Sequence, residues 1–291
     1  MIRFSKYIWI YILVSGLVII SGLISLFMFS LRPSIDFTGG VLLEITPSQH
    51  VTIESIREIS TAEGLRATDL RQDGGSLILR AKTPPNFSSF EERVRHVASD
   101  SSTILRLESV GPVLGRELLI KAAVAAGVAI IGILLFIAYS FRNFTYGIAA
   151  VVALIHDVLV VFGSFSLLGY FFGVEVDTLF VTAFLTTMSF SVHDTIVVFD
   201  RIREYGKKGE RLTFTERADT ALTETMGRSL TNSATIIFML LALVLLGGET
   251  IRWFAVALLI GTISGTYSSP FVATPVLLFL HKRMFKLSQA E

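Results

Sequence analysis

The sequence predicts an α-helical multispanning membrane protein of six transmembrane helices, with a small α+β domain between the first and the second. Of its 291 residues, 52% are hydrophobic and 17% are charged, a balance more apolar than that of soluble domains. Apolar runs long enough to cross a bilayer recur along the chain. A polar segment rich in charges and turn residues separates the first run from the second.

A helix needs about 20 apolar residues to cross the hydrocarbon core, and six stretches of the sequence meet that length. They are residues 7–29, 118–139, 145–170, 178–199, 228–246 and 253–280. Basic residues precede the first stretch, as they do in a secretion signal, but its apolar core is too long and no small-residue cleavage site follows. We interpret this stretch as a retained anchor.

Lysine and arginine cluster in every second connection between the predicted helices, and basic residues resist translocation. We therefore expect a multi-pass protein of the cytoplasmic membrane with both termini in the cytoplasm. The predicted order is a cytoplasmic N terminus with the first helix (1–30), an extracytoplasmic domain (31–117), a five-helix membrane core (118–281) and a cytoplasmic tail (282–291). The connection 201–224 mixes both signs of charge and is interpreted as a solvated loop.

The extracytoplasmic segment has the pattern strand, helix, strand, strand, helix, strand, which is that of a ferredoxin-like domain. We expect strands at 41–46, 66–72, 76–82 and 103–110 and helices at 51–63 and 88–100. An Asp73-Gly74-Gly75 turn joins the second strand to the third, and Ser88 with Glu91 forms a candidate capping box. His50 and His96 are expected on the surface. Without a catalytic or metal-binding grouping, the domain suits a binding or lever role.

Asp194 is the most informative residue, because it lies inside the apolar run 178–200, where an unpaired charge costs about 3 kcal/mol or more. At helical spacing, Thr187, Ser191 and Arg201 share its side of the helix. We expect this polar side to face other helices and not lipid.

Arg228 opens the predicted fifth helix, at a depth similar to that of Asp194 when the two helices run antiparallel. A guanidinium and a carboxylate brought together there would act as a proton-driven switch, because burial and the opposite charge act on the carboxyl group in opposite directions. The alternative is that Arg228 only extends to the cytoplasmic headgroups, as long basic side chains near helix ends do.

A second carboxylate, Asp157, lies near the middle of the predicted third helix and follows His156. Two interpretations stay open: Asp157 takes part in proton transport, or it hydrogen-bonds across a close helix contact. His193, next to Asp194, is a further candidate for proton transport, because histidine titrates near neutrality. Membrane histidines also serve simply as hydrogen-bonding residues.

The predicted sixth helix has Gly261 and Gly265 four residues apart, followed by Ser269, Pro270 and Pro275. Small residues at this spacing are typical of tight helix packing, and the prolines indicate a bend. The spacing is common in membrane helices, so it indicates packing and no particular function.

Several classes of function are excluded by what the sequence lacks. It has no cysteine, and so no disulfide framework, thiolate metal site or cysteine nucleophile. No glycine-rich loop ends in Lys and Ser or Thr, which excludes that way of holding ATP phosphates. A net charge of +1 gives no basis for binding nucleic acid. We expect a transport protein that is not an enzyme and carries no metal or cofactor.

Several ordered motifs resemble the SecF family, the smaller subunits of the SecD-SecF protein-export complex. They are Ile35-Asp36-Phe37-Thr38-Gly39-Gly40, Val110-Gly111-Pro112 with Gly115, His156-Asp157-Val158, the run from Asp194 to Glu204, and Arg228-Ser229-Leu230-Thr231. Together they cover almost the whole chain. Ser34 stands where the family commonly has glycine, which puts an unusual backbone conformation there in doubt. His193 stands where a small polar residue, often asparagine, is expected.

The resemblance implies a half-transporter of the resistance-nodulation-division superfamily that pairs with SecD in a pseudo-symmetric core. Such a subunit helps to complete the export of secreted proteins across the cytoplasmic membrane, coupled to the proton-motive force. The implied partners are SecD, the SecYEG translocon, YajC, the translocating unfolded polypeptide and membrane lipid, with no nucleic acid. The family residues that match Asp194 and Arg228 are implicated in proton transport, and Asp157 matches a family position with a less defined role.

Two glycine motifs, Gly39-Gly40 and Gly111-Pro112, flank the outer domain. Glycine tolerates backbone angles that other residues avoid, so we interpret both motifs as hinges between the outer domain and the membrane helices.

Two other functions stay open at this stage. The first is half of a proton-driven exporter of small molecules or lipids from the same superfamily, although the outer domain is small for building a substrate cavity. The second is a scaffold whose buried polar residues only hold the helices together.

Overall fold

The computed structural model describes residues 3–48, 51–65, 67–73, 75–82, 87–98, 103–141, 143–207 and 212–288. Within these ranges, six helices are long and apolar enough to cross a membrane, which confirms the predicted multi-pass membrane protein. They are Phe4–Phe29, Pro112–Phe141, Phe144–Phe172, Thr178–Lys207, Phe214–Leu246 and Ile251–Arg283. The chain forms two compact units: the membrane unit, Met1–Arg32 with Val124–Glu291, and the outer unit, Pro33–Ala123.

The secondary structure elements follow one another in this order. They are a 3₁₀ turn (Phe4–Tyr7), α1 (Ile8–Phe29), α2 (Ile35–Thr38), β1 (Gly40–Ile45), α3 (Ile53–Ala62), β2 (Ala67–Asp73), β3 (Ser76–Ala81), α4 (Phe87–Ala98), β4 (Ile104–Val110), α5 (Pro112–Phe141), α6 (Phe144–Phe172), α7 (Thr178–Lys207), α8 (Phe214–Leu246), α9 (Glu249–Ser268), a π-helical segment (Ser269–Ala273) and α10 (Thr274–Ser288).

Helices α1 and α6 cross where each has a glycine. A Cβ atom added at Gly163 would lie only 2.5 Å from the Cα atom of Gly22, so the two backbones are in contact. Close to this crossing, Ser25 donates a hydrogen bond of 2.9 Å to Ser166. Small residues and interhelical hydroxyl bonds are the usual means of association between membrane helices, because lipid is as apolar as the side chains.

The prediction of a solvated loop at 201–224 is wrong, because helices occupy most of this segment. α7 continues to Lys207 and α8 begins at Phe214. The Arg201 guanidinium lies 2.6 Å from the Glu224 carboxylate, and the Tyr205 hydroxyl donates to the same carboxylate. Charged side chains end an apolar run without ending a helix, so hydropathy marks where the apolar run ends and not where the helix ends.

The 3₁₀ turn Phe4–Tyr7 is bound to the beginning of α8. The backbone N–H of Ser5 donates to the Asp219 carboxylate at 2.8 Å, and the Ser5 hydroxyl donates to its second oxygen at 2.7 Å. Asp219 is buried, so these two bonds satisfy a carboxylate that would otherwise be costly to remove from water. They also fix the position at which the first membrane helix starts.

The outer unit contains a four-stranded antiparallel sheet with the strand order β2-β3-β1-β4. The central strand β1 pairs with β3 from Val41 opposite Ala81, and with β4 from Gly40 opposite Val110. One face of the sheet is buried and packs against α3 and α4. The buried core is formed by Val41, Leu43, Ile45, Val51, Ile56, Leu65, Leu77, Leu79, Ala81, Phe90, Val94 and Ala98. The predicted order of strands and helices in this segment agrees with the structure.

Two details of the outer unit differ from the prediction. α4 begins at Phe87, so Ser88 lies inside the first turn and is not a capping residue. The capping box is found instead at α3, where Thr52 and Ser55 bond reciprocally. His96 is exposed as predicted, whereas His50, Gly74 and the predicted helix end near residue 100 lie outside the described residues.

Ser34 has an ordinary extended backbone, with φ −73° and ψ 177°. Its side chain accepts a hydrogen bond of 3.1 Å from the backbone N–H of Asp36 and so caps the short helix α2. Serine is a favoured capping residue, and the departure from glycine at this position therefore needs no unusual conformation.

Candidate functional site

A buried carboxylate, Asp157, joins three helices of the membrane unit. It is 5% exposed and lies on α6, and serine hydroxyls from α7 and α9 donate to it. Ser191 and Ser268 donate to Oδ2 at 2.5 and 2.6 Å, and Ser264 donates to Oδ1 at 2.6 Å. Three charge-assisted hydrogen bonds of this length hold the carboxylate between α6, α7 and α9.

His156, the residue before Asp157, completes this group, which we call the Asp157 cluster. Its Nδ1 atom lies 3.0 Å from Oδ1 of Asp157, and its ring stacks on Tyr267 of α9 with centroids 6.0 Å apart. The residue is 4% exposed, and its Nε2 atom has no hydrogen-bond partner among the described residues.

Asp194 lies half-buried where α7 faces α8 and α9, and it borders two small pockets. One pocket is lined by Phe190, Ser191, His193, Asp194, Asn232, Ser233, Ile236, Thr262, Gly265 and Thr266. It leaves about 20 Å³ for the centre of a water molecule, which is enough for one water. The other is lined by Asp194, Val198, Leu222, Thr225, Met226, Ser229, Thr266, Ser269 and Pro270. A carboxylate deep in a membrane helix thus faces a polar space.

The polar side predicted for the fourth helix faces other helices, as expected. Thr187 and Ser191 are buried, and Asp194 and Arg201 are half-buried. Hydroxyl contacts continue along this side, because Thr195 lies 2.9 Å from the hydroxyl of Ser269.

The structure does not bring Arg228 to Asp194. Ser229 and Thr225 of α8 line the pocket beside Asp194, so the depth expected for Arg228 agrees with the structure. The Arg228 side chain itself lies on the exposed side of α8, and no ion pair joins it to Asp194 among the described residues. One residue along a helix turns the side chain by about 100°, which is why Ser229 faces the pocket and Arg228 does not.

His193 lies on the rim of the first pocket beside Asp194 and is exposed. It therefore differs from His156, which is buried within the helix bundle. Its predicted part in proton transport stays a prediction.

Gly261 and Gly265 lie against the polar side of α7. A Cβ atom added at Gly261 would lie 2.4 Å from Cγ2 of Thr187, and one added at Gly265 would lie 3.0 Å from Cα of Ser191. These two glycines let α9 approach closely enough for its serines to reach Asp157. Where the prolines indicate a bend, the structure has the π-helical segment Ser269–Ala273. Such segments often occur at functional sites.

The sequence interpretation missed two members of the cluster, Ser264 and Ser268. Both lie four residues apart on α9, at the same spacing as Gly261 and Gly265. That spacing was a usable signal, since a row of small polar residues beside a row of glycines marks the face of a helix that meets a neighbour.

The two glycine motifs of the outer unit lie against each other. Gly39 has φ 71° and Gly40 has φ 139°, a region that favours glycine. A Cβ atom added at Gly39 would lie 2.6 Å from Cα of Pro112, the residue after Gly111. Both motifs thus form a tight backbone contact at the end of the β1–β4 pair, and their role as hinges stays a prediction.

Comparisons with known proteins agree with the resemblance seen in the motifs. The family described as "Protein export membrane protein SecD/SecF, C-terminal" matches residues 89–283. Protein translocase subunit SecF of Thermobaculum terrenum is 41% identical over 98% of this chain and 96% of its own length. The SecF subunit of Anaerolinea thermophila is 38% identical over 92% of this chain and 91% of its own length.

The crystal structure of SecDF, a translocon-associated membrane protein from Thermus thermophilus, matches with a TM-score of 0.82 and 31% identity. The match covers 97% of this chain and 39% of the SecDF chain. The present chain therefore corresponds to well under half of that protein.

The described residues form six helices that are long and apolar enough to cross a membrane, which is the architecture of a multi-pass membrane protein. Ionisable groups within such helices are typical of transport proteins. Relatives that match along almost their whole length are translocase subunits. The chain belongs to the SecD/SecF family of protein-export membrane proteins, on its SecF side.

Proposed function

We propose that this chain is the SecF subunit of a Sec protein-export complex and that it couples the proton-motive force to the completion of export. The names of its relatives, Protein translocase subunit SecF, support protein translocation over the export of drugs or lipids. The partners that we propose are SecD, the SecYEG translocon, YajC and the unfolded polypeptide during its passage. The role is transport and not catalysis of a chemical reaction.

The observation that carries the coupling is the position of Asp194. This carboxylate lies inside a membrane helix, half-buried beside a polar pocket with room for one water. A carboxyl group that is removed from bulk water but reaches a water-sized space can gain and lose a proton. Proton passage through Asp194 would supply about 2.3 kcal/mol per charge for each 100 mV of membrane potential.

Arg228 is the second residue that we propose for proton transport. A guanidinium on the exposed side of a membrane helix is costly against lipid. Its position is therefore best explained by a partner protein that covers α8, and the other half of a SecD-SecF complex fits that requirement. We propose that Arg228 acts at this interface, either on Asp194 in another state of the complex or on an acidic group of the partner.

We propose that Asp157 takes part in proton transport together with Asp194, and we call the residues between the two carboxylates the polar layer. Ser191 belongs to it, because it both binds Asp157 and lines the pocket beside Asp194. His193 would modulate Asp194 from the rim of that pocket.

We propose that the outer unit is a ferredoxin-like domain on the extracytoplasmic side and that both termini lie in the cytoplasm. Its strand order and antiparallel pairing support the fold. The basic residues before the first helix and after the last support the orientation. In this position the domain can contact the emerging polypeptide, with the Gly39-Gly40 and Gly111-Pro112 contact as its hinge.

An export assay in membrane vesicles tests this function. Asp194→Asn in the complete complex should remove the part of export that depends on the proton gradient, while the complex still purifies intact. Asp200→Asn is the matched control, because Asp200 lies on the same helix but is exposed and binds Arg203 at 2.7 Å. Gradient-dependent export at the wild-type level in the Asp194 variant would contradict the proposed coupling.

A further inference from the structure

The ring of His156 has one occupied and one unoccupied nitrogen. Nδ1 lies 3.0 Å from the carboxyl group of Asp157. When this group is a carboxylate it can only accept, and Nδ1 then carries the hydrogen atom. Nε2 is buried and has no hydrogen-bond partner among the described residues. In the neutral ring, Nε2 is therefore a bare lone pair inside the helix bundle.

Hydroxyl groups donate to both oxygens of Asp157. They belong to Ser191, Ser264 and Ser268, and this arrangement of donors matches a carboxylate, which can only accept. A protonated carboxyl would have to donate to one of these hydroxyls or to Nδ1 of His156, and that partner would then have to accept.

A compensating charge stabilises a buried anion. Among the described residues, no lysine or arginine forms an ion pair with Asp157, and His156 is the only basic side chain in contact with it. The charge balance of the cluster therefore depends on whether the imidazole is neutral or protonated.

We propose that His156, and not Asp157, is the proton-binding group of the Asp157 cluster. A proton is added to the Nε2 lone pair, the ring becomes an imidazolium, and Asp157 stays a carboxylate paired with it through Nδ1–H. No other bond is made or broken. The inference rests on the proposed proton-coupled function and gives the polar layer a second proton site besides Asp194.

The surroundings of His156 contain few other titratable groups. α9 contributes Tyr267, whose hydroxyl lies 3.2 Å from that of Ser15 on α1 and 3.3 Å from the carbonyl oxygen of Tyr11. α7 contributes Ser191 and, less than one turn further along, Asp194. The π-helical segment Ser269–Ala273 contains no titratable side chain. On α10, His281 is the first titratable side chain, and it stacks on Phe214.

Ser191 connects this site to Asp194. Its hydroxyl donates to Asp157 at 2.5 Å, and the same residue lines the water-sized pocket that Asp194 borders. The two sites therefore share one residue, through which the charge state of one can act on the other. Ser264 and Ser268 are positioning residues on α9 that donate to Asp157. A change in the charge of the cluster would therefore act on the end of α9, directly before the π-helical segment.

Nitrogen NMR of the histidine side chains tests the proposal in the complete complex reconstituted in lipid. Uniform ¹⁵N-histidine labelling reports all five rings of this chain, and His156→Gln identifies the His156 signal by its loss. The partner half is supplied unlabelled. At the alkaline end of a titration from about pH 8 to pH 5, we expect a hydrogen atom on Nδ1 and a bare Nε2. At the acidic end we expect an imidazolium.

The measurement has clear opposite outcomes. A His156 ring with a hydrogen atom on Nε2 throughout, or one that stays neutral while ¹³C-aspartate labelling shows Asp157 becoming a carboxylic acid, would overturn the proposal. Asp157→Ala should abolish the preference for the Nδ1–H tautomer, because alanine has no side-chain acceptor for Nδ1–H. His96→Gln is the control, because His96 is exposed in the outer unit and its loss should leave the His156 signal unchanged.

The wild-type titration alone decides the tautomer and the protonation state once one variant has identified the signal. If His156→Gln does not fold, the variants His50→Gln, His96→Gln, His193→Gln and His281→Gln identify the other four rings, and the signal that remains is that of His156. Because the His156 spectrum does not depend on transport, a negative export result for Asp194 and a negative result here remain distinguishable.

Discussion

Gly261→Ala should weaken the contact between α7 and α9, which positions the Asp157 cluster. The added Cβ atom would lie 2.4 Å from Cγ2 and 2.5 Å from Cβ of Thr187. Carbon atoms in favourable contact are about 3.5–4.0 Å apart, so the helices would have to separate by about 1 Å. Overpacking of this kind lowers stability by about 1–3 kcal/mol.

The assay is denaturant-induced unfolding of the purified chain in mixed micelles, compared with Gly132→Ala. Gly132 lies in α5, and apart from its chain neighbours and the nearby backbone of its own helix, no described atom lies within 4 Å of its added Cβ. This control should be neutral or stabilised by up to about 1 kcal/mol, since alanine favours helices more than glycine does.

Exchanging the small residue across the contact makes the test more specific. In the double variant Gly261→Ala with Thr187→Gly, the new methyl group has room, so Gly261→Ala should cost much less stability in the Thr187→Gly background than in the wild type. Such a difference is a coupling between neighbours and is absent when two sites are independent. If Gly261→Ala were as stable as Gly132→Ala, the close packing of α7 on α9 would be refuted.

Three further substitutions test other contacts. Gly39→Ala should destabilise the outer unit by more than about 1 kcal/mol, because φ of Gly39 is 71° and the new Cβ would lie 2.6 Å from Pro112. Limited proteolysis of that unit should become faster, and an unchanged rate of cleavage would contradict this prediction. Asp219→Ala should release the 3₁₀ turn Phe4–Tyr7, because Ser5 of this turn donates two hydrogen bonds to Asp219. The measurement is hydrogen exchange at the N terminus, which should become faster; unchanged exchange would show that these two bonds do not hold the turn in place. Glu224→Gln should change the free energy of unfolding by less than about 1 kcal/mol, because the ion pair of Glu224 with Arg201 is partly exposed. Denaturant-induced unfolding is the measurement, and a larger loss of stability would mean that water does not screen the pair.

The six helices and the arrangement of the outer unit were accessible from the sequence because each depends on a local pattern. Apolar runs of bilayer length predict the spans, and the alternation of strand and helix patterns predicts the order that the sheet of the outer unit follows. Helix ends were less accessible. α8 begins at Phe214, fourteen residues before the predicted start at Arg228, since paired charges such as Arg201 and Glu224 allow helices to continue beyond the apolar run.

The candidate site was only partly accessible. A carboxylate in an apolar run is visible in the sequence, so Asp157 and Asp194 could be found. The donors to Asp157 come from residues 34, 107 and 111 positions away along the chain, and the pairing of distant helices decides which hydroxyls meet it. The side of α8 on which Arg228 lies differs from that of Ser229 by the rotation of one residue, about 100°. A hydropathy pattern does not determine the rotation of a helix about its axis that accurately.

Proton flux through the complete complex is the most direct test of the account. Vesicles containing the chain and its partner half would be given a membrane potential, and the rate of internal pH change would be measured for wild type, Asp194→Asn and Asp200→Asn. We expect the flux to be lost in the Asp194 variant and kept in the Asp200 variant. Equal flux in all three would contradict the central claim that protons cross this protein by way of Asp194.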